Sequence, residues 1–149
     1  MKGFGSHKKS KKKKIRNSRE DKSKEQIINK ALKFHSEGKI SEATKYYQSF
    51  IKQGYKDFRV FSNYGFILIG IGKLKEAELS YRKAISLKPD FIGAYLNLGN
   101  ILKDLGKLQE AEAYLRKAIT LKPDLAGAHY NLGNILKDLG KLQEAEVYM

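Results

Sequence analysis

The feature that most restricts this chain is repetition at an interval of 34 residues. Pro89 and Pro123 stand one interval apart. Gly65, Gly99 and Gly133 keep it, as do Gly38, Gly72, Gly106 and Gly140, and Ala43, Ala77, Ala111 and Ala145. Segments 92–115 and 126–149 differ at only five of 24 positions: Ile92/Ala126, Tyr95/His129, Leu96/Tyr130, Ala113/Val147 and Leu115/Met149. A match that close marks recent duplication. A unit of this length cannot bury its apolar face alone, so its copies must stack on one another to form a core.

Within the unit 92–125 the pattern reads as two helices. Tyr95, Leu98, Leu102 and Leu105 fall on one helical face, and Gly106 is placed to end that helix in the left-handed conformation. Leu108, Ala111, Leu115, Ala118 and Ile119 form the buried face of the second helix. Glu110 and Glu112 sit near its start and Arg116, Lys117 and Lys122 near its end, which suits the helix dipole. Pro123 forbids continuation. Asp90 and Asp124 are expected to cap the first helix of their units. Gly99 and Ala111 are small where the two helices must approach closely.

These residues resemble the tetratricopeptide repeat (TPR) family. The signature appears as Tyr95, Leu98-Gly99, Leu102, Gly106, Ala111, Leu115, Ala118 and Pro123. The unit 58–91 repeats it with Phe61, Tyr64-Gly65, Leu68, Gly72, Ala77, Tyr81, Ala84 and Pro89. The unit 24–57 is degenerate: Ala31 takes a Gly position, Phe50 an Ala position and Tyr55 the Pro position, while Phe34, Gly38, Ala43 and Tyr47 remain. The resemblance implies an all-α fold, an α-solenoid of antiparallel helix pairs wound as a right-handed superhelix. Its units are 24–57, 58–91, 92–125 and an incomplete 126–149, behind a basic tail over 1–23.

Charge singles out that tail. The chain carries 30 basic and 16 acidic side chains, a formal charge of +14. Residues 1–26 hold 11 basic and three acidic ones, a net +8, with Phe4 and Ile15 as isolated large apolar residues. Such a stretch cannot offset the entropy of ordering its backbone and is expected to be disordered up to about Ser23. Three readings stay open for its Lys run: a solvated arm, weak nonspecific contact with nucleic acid through residues 2–24, or attraction to an anionic membrane surface. No aromatic alternates with the lysines, so nothing there would stack on bases. No window approaches the roughly 20 apolar residues of a transmembrane segment. The chain contains no cysteine, which excludes disulfide frameworks, thiolate catalysis and cysteine-based metal sites. The expected setting is cytoplasmic.

The resemblance also implies a ligand face. In TPR stacks the first helix of each unit lines a concave groove, here positions 59, 62, 63, 66, 69 and 70 and their equivalents. Asn29, Asn63, Asn97 and Asn131 form one column through all four units. Around Asn97 the string resembles the array of protein O-linked N-acetylglucosamine transferases, where the matching column contacts the backbone of an extended peptide. A carboxamide suits that role because it offers a donor and an acceptor whatever the peptide's side chains. The other reading is that these Asn residues are solvated or bond to a neighbouring helix. Ile28, Leu32, Phe66 and Ile69 would make one half of the groove apolar, unless they pack between units. Asn100, Lys103, Asn134 and Lys137 would make the other half polar. TPR domains that clamp a chaperone's C-terminal carboxylate use a Lys just before the groove Asn. Ile28, Ser62, Leu96 and Tyr130 stand there, so no carboxylate clamp is expected.

No catalytic constellation is visible, and no cofactor or metal is expected. His7, His35 and His129 are scattered, and His129 occupies a packing slot that is Tyr95 one unit earlier. Ser80-Tyr81-Arg82-Lys83 is a bare Ser-x-x-Lys without partner motifs. By periodicity the last helix should reach about residue 155; ending at Met149, it should leave Ala145 and Tyr148 on a half-covered end open to self-association. The leading expectation is therefore a noncatalytic module whose partner is a protein or peptide held in the groove. The alternatives are the substrate-recruiting part of a longer glycosyl-, sulfo- or methyltransferase, and a polyanion- or ribosome-associated adaptor acting through the tail.

Overall fold

A computed structural model describes the backbone of residues 5–148 and the side chains of residues 20–148. Its helices are α1 (Gly5–Ser36), α2 (Ile40–Lys52), α3 (Phe58–Gly70), α4 (Leu74–Leu87), α5 (Ile92–Asp104), α6 (Leu108–Leu121), α7 (Ala126–Asp138) and α8 (Leu142–Ala145), followed by a 3-10 turn over Glu146–Tyr148. The fold is all-α, built from antiparallel helix pairs. It divides into two compact units, one ending at Tyr55 and one beginning at Lys56.

The first unit is the pair α1 and α2. Ile28, Ala31, Ala43, Tyr47 and Phe50 are fully buried. Phe34 stacks on Tyr46 with ring centroids 5.5 Å apart, and His35 Nδ1 lies 3.0 Å from the Tyr47 hydroxyl. The backbone of α1 is helical from Gly5 onward. Lys and Arg are good helix formers, and no Gly or Pro interrupts α1 after its first residue. The expectation of a disordered basic tail falls mostly on residues 1–19, whose side chains lie outside the described residues.

The second unit is a short α-solenoid of three consecutive pairs, α3–α4, α5–α6 and α7–α8, around one continuous core. Tyr81, Leu98, Leu102, Leu115, Leu132 and Leu136 are among its large, deeply buried members. Each pair turns by the same device. Gly106 adopts φ +74°, and Lys107 N then donates to Leu102 O at 2.8 Å, satisfying a carbonyl that the helix end leaves free. A Cβ would make that backbone costly, which is why Gly recurs there in every unit. The small residue on the first helix has a separate cause. A Cβ on Gly99 would sit 2.7 Å from Leu115 Cγ, and one on Gly65 would sit 2.8 Å from Tyr81 Cε2. The crowding neighbour is thus the large residue of the second helix rather than the Ala111 backbone, whose oxygen lies at 3.6 Å.

Two expected caps are not made. The N-caps of α5 and α7 are Phe91 and Leu125, without a side-chain hydrogen bond. Asp90 and Asp124 stand one residue too early, within the turn that follows the proline. In α3 an Asp does occupy the cap: Asp57 accepts from Arg59 N at 2.9 Å. Asp57 lies 34 residues before Phe91, so a shift of one residue decides whether the carboxylate can reach the open N–H groups. Where the cap is apolar, a bond from the helix back to the turn holds the entry instead. Tyr95 donates to Pro89 O at 2.8 Å, and His129 Nε2 lies 2.6 Å from Pro123 O.

Candidate functional site

The first helices of the second unit, α3, α5 and α7, carry matching columns at i, i+3 and i+6, a spacing that keeps a stripe on one helical side. The first column is Asn63, Asn97 and Asn131, all half-buried. The second is Phe66, Asn100 and Asn134; Phe66 is 61% exposed and the two Asn residues are half-buried. The third is Ile69, Lys103 and Lys137, of which Lys137 is exposed, Lys103 half-buried and Ile69 packed against the core. Asn29 lies in the first unit, exposed on α1.

Two members of the first column are held by hydrogen bonds between helices. Asn97 Nδ2 donates to the Tyr81 hydroxyl at 3.1 Å, and Asn131 Nδ2 donates to Asn100 Oδ1 at 2.7 Å. Two of the four Asn side chains therefore do bond to a neighbouring helix. Neither bond uses the Asn97 or Asn131 carbonyl oxygen, and no described residue donates to either of them. Tyr81 itself is fully buried. Burial pushes its hydroxyl up to about 12, against the opposing hydrogen bond from Asn97, so it stays neutral at any ordinary pH.

The expected apolar half of the groove is narrower than the sequence suggested. Ile28 is fully buried in the first unit and Ile69 packs on the core of the second, so both serve packing. Phe66 alone of that set stands well out from the surface. A second exposed aromatic on these helices is Tyr130, 65% exposed and one residue before Asn131. Its position, 34 residues after Leu96, marked it as a groove position.

Sequence reasoning missed an ion network that recurs at each joint of the second unit. Arg82 Nε donates to Glu78 at 3.0 Å, its Nη1 donates to the Tyr114 hydroxyl at 2.8 Å, and its Nη2 to Glu110. Lys107 Nζ adds a bond to Glu78 at 2.9 Å. One repeat later Arg116 donates to Glu112 at 2.9 Å, to the Tyr148 hydroxyl at 3.2 Å and to Glu144, while Lys141 reaches Glu112 at 2.8 Å. Burial alone would raise the Glu78 and Glu112 carboxyls, but the bonds from lysine and arginine outweigh it and hold both below the usual range. The signal was present: all five residue types recur exactly one interval apart.

At the far end, Ala145 is buried and Tyr148 is half-buried against His129, ring centroids 5.7 Å apart. Among the described residues, Leu142 and Val147 are large apolar side chains exposed there. Among the described residues, no group of three His, Asp or Glu could hold a metal ion. No described helix is long and apolar enough to cross a membrane.

Residues 29–140 match the model of the middle TPR-like domain of cilia and flagella-associated protein 70. No curated protein matches the chain. Among solved structures, that of MamA superposes with a TM-score of 0.78 at 20% identity, covering 99% of this chain and 91% of that one. YrrB, described as a TPR protein with an unusual peptide-binding site, gives a TM-score of 0.75 at 20% identity over 82% of this chain and 63% of its own. The first TPR of Spaghetti (RPAP3), bound to the HSP90 peptide SRMEEVD, gives 0.70 at 23% identity over 78% and 93%. At these identities the likeness shows the fold. With the 34-residue signature, the helix pairs and a family match over residues 29–140, the chain belongs to the TPR family.

Proposed function

We propose that this protein is a noncatalytic interaction module that takes an extended partner segment along the faces of α3, α5 and α7. The observation that carries the reading is the Asn column of the second unit. Asn97 and Asn131 are oriented by their own bonds to Tyr81 and Asn100, which leaves their carbonyl oxygens available to accept peptide N–H groups. Side chains held in this way lose little rotamer freedom when a ligand arrives, so each new hydrogen bond keeps more of its value. Phe66 and Tyr130, exposed on the same helices, offer apolar area for side chains of the bound segment. Two structural neighbours support the reading by analogy, since YrrB is described with a peptide-binding site and the Spaghetti repeat with a bound peptide.

The test begins with selection from a displayed library of random 12-residue peptides on the intact protein. The affinity of a selected peptide is then compared with Asn63→Ala and with the triple change at Asn63, Asn97 and Asn131. Each lost hydrogen bond is worth about 0.5–1.5 kcal/mol, so the triple variant should bind roughly tenfold or more weakly. Circular dichroism should show an unchanged helical content. Asn63 makes no hydrogen bond to another described side chain, so its single replacement separates ligand contact from loss of internal support. Equal affinity in a helical triple variant would reject the Asn column as the peptide contact.

A further inference from the structure

The unit 58–91 differs from 92–125 at 16 of 34 positions, and one cluster of those differences lies away from the Asn face. At the α3–α4 turn, Gly72, Lys73, Leu74, Lys75 and Glu76 line an open hollow of about 350 Å3 together with Leu105 from the end of α5. A second hollow of about 310 Å3 lies between Lys75, Leu79, Leu105 and Lys107, with Glu78 at its wall. The two share Lys75 and Leu105, so they form one continuous depression on the edge of the second unit.

Its chemistry is mixed in a specific way. Leu79 is 68% exposed, and Ile71, just before the first hollow, is 59% exposed. Lys75 and Leu79 are four residues apart on α4 and so lie one above the other. Of the three lysines at the rim, Lys73 pairs with Glu76 at 2.9 Å and Lys107 pairs with Glu78 at 2.9 Å. Lys75 has no carboxylate partner among the described residues. The two rim carboxylates are already neutralised by their own lysines, so an incoming anion would meet an unopposed cation beside apolar surface. One repeat later Gln109 and Ala113 stand in place of Lys75 and Leu79, which removes the cation and the large apolar side chain together.

We propose that this edge is a second docking site, separate from the Asn face, for a partner protein segment bearing an apolar side chain next to a carboxylate. The apolar side chain enters the depression against Leu79 and Leu105, and the carboxylate meets Lys75. Charge complementarity identifies the partner as acidic, and the exposed leucine distinguishes it from a bare polyanion, which would gain nothing from Leu79.

The experiment follows backbone amide shifts of the isotopically labelled full chain during titration with the peptide N-acetyl-Leu-Glu-Glu-amide. Saturating shifts are expected over residues 72–79 and 105–107. The peptide N-acetyl-Leu-Gln-Gln-amide should bind about fivefold more weakly, and Lys75→Gln should weaken the acidic peptide by a similar factor. Leu79→Ala should weaken both peptides. Both side chains are exposed, so the variants should keep their helical content, checked by circular dichroism. Shifts confined to Asn63, Asn97 and Asn131, or an affinity indifferent to both substitutions, would overturn the proposal. So would tripolyphosphate producing the same shifts with the same affinity in Leu79→Ala as in the unaltered protein. A failure here leaves the Asn-face reading standing, because the two sites share no residue.

Discussion

At the joint between the second and third repeats, Asn97 donates to the Tyr81 hydroxyl at 3.1 Å. At the next joint Leu115 stands in the Tyr81 position, and Asn131 donates instead to Asn100 at 2.7 Å. Asn97 lacks that second option, since Phe66 occupies the place equivalent to Asn100. One joint therefore combines a buried phenol with an aromatic residue on the ligand face, and the other a leucine with a carboxamide. On the opposite side the joints are copies: Glu78, Arg82, Lys107, Glu110 and Tyr114 reappear as Glu112, Arg116, Lys141, Glu144 and Tyr148 with nearly the same bonds. Duplication has preserved the charge network and allowed the packing and ligand faces to change in matched pairs.

The largest expected effect bears on the residue that differs between the joints. Gly99→Ala places a methyl group 2.7 Å from Leu115 Cγ, the branch point of a fully buried side chain. Chemical denaturation should show a loss of about 1–3 kcal/mol. Gly65→Ala should cost a similar amount, because the Tyr81 ring it meets is also fully buried. A neutral result in either pair would show that its two helices can separate without penalty.

The shared network is expected to respond to acid. Glu78 and Glu112 have folded-state pKa values below the ordinary 4.5. Their contribution is therefore fully present above about pH 4.5 and is lost as pH falls through the lower folded value. Glu78→Gln or Glu112→Gln should cost about 1–2 kcal/mol at pH 7, between the values for exposed and buried pairs. Each variant should also lose less stability than the parent on acidification. Equal acid sensitivity in parent and variants would show that other carboxylates govern the acid limb.

The asparagine anchors can be exchanged on paper, and a double-mutant cycle tests whether they exchange in fact. Tyr81→Phe should cost about 0.5–1.5 kcal/mol by removing the acceptor for Asn97. Tyr81→Leu combined with Phe66→Asn rebuilds the arrangement of the later joint. The pair should be more stable than the two single effects predict, by about 0.5 kcal/mol or more. Simple additivity would mean that the two joints are not alternative solutions to the same problem.

Most of the fold was legible because duplication amplifies weak signals. Gly106 alone suggests a helix end; the same Gly at every interval fixes one. The site was less legible for two physical reasons. An Asn column on a helix looks the same whether it faces a ligand or a neighbour, and only the positions of Tyr81 and Asn100 show that two of its members do bond to a neighbour. Capping failed for the opposite reason: Asp90 has the right chemistry, but the turn after Pro89 sets it one residue before the cap. The ion network could have been read, since Glu78 and Arg82 recur as Glu112 and Arg116. It needs residues from successive repeats, however, and a search within one unit passes it over.

The smallest expected effect concerns the slot where Tyr95 becomes His129. Both residues bond back to a proline carbonyl, at 2.8 Å from Tyr95 to Pro89 and 2.6 Å from His129 to Pro123. Both rest against the tyrosine of the network, Tyr95 at 6.0 Å from Tyr114 and His129 at 5.7 Å from Tyr148. His129→Tyr should therefore change stability by no more than about 0.5 kcal/mol. The reciprocal Tyr95→His should cost more, because Tyr95 is only 7% exposed and its larger ring fills a tighter site. If His129→Tyr instead destabilised the protein by more than about 1 kcal/mol, the terminal joint would be set by the imidazole itself, and the equivalence of the two joints would end at their ion networks.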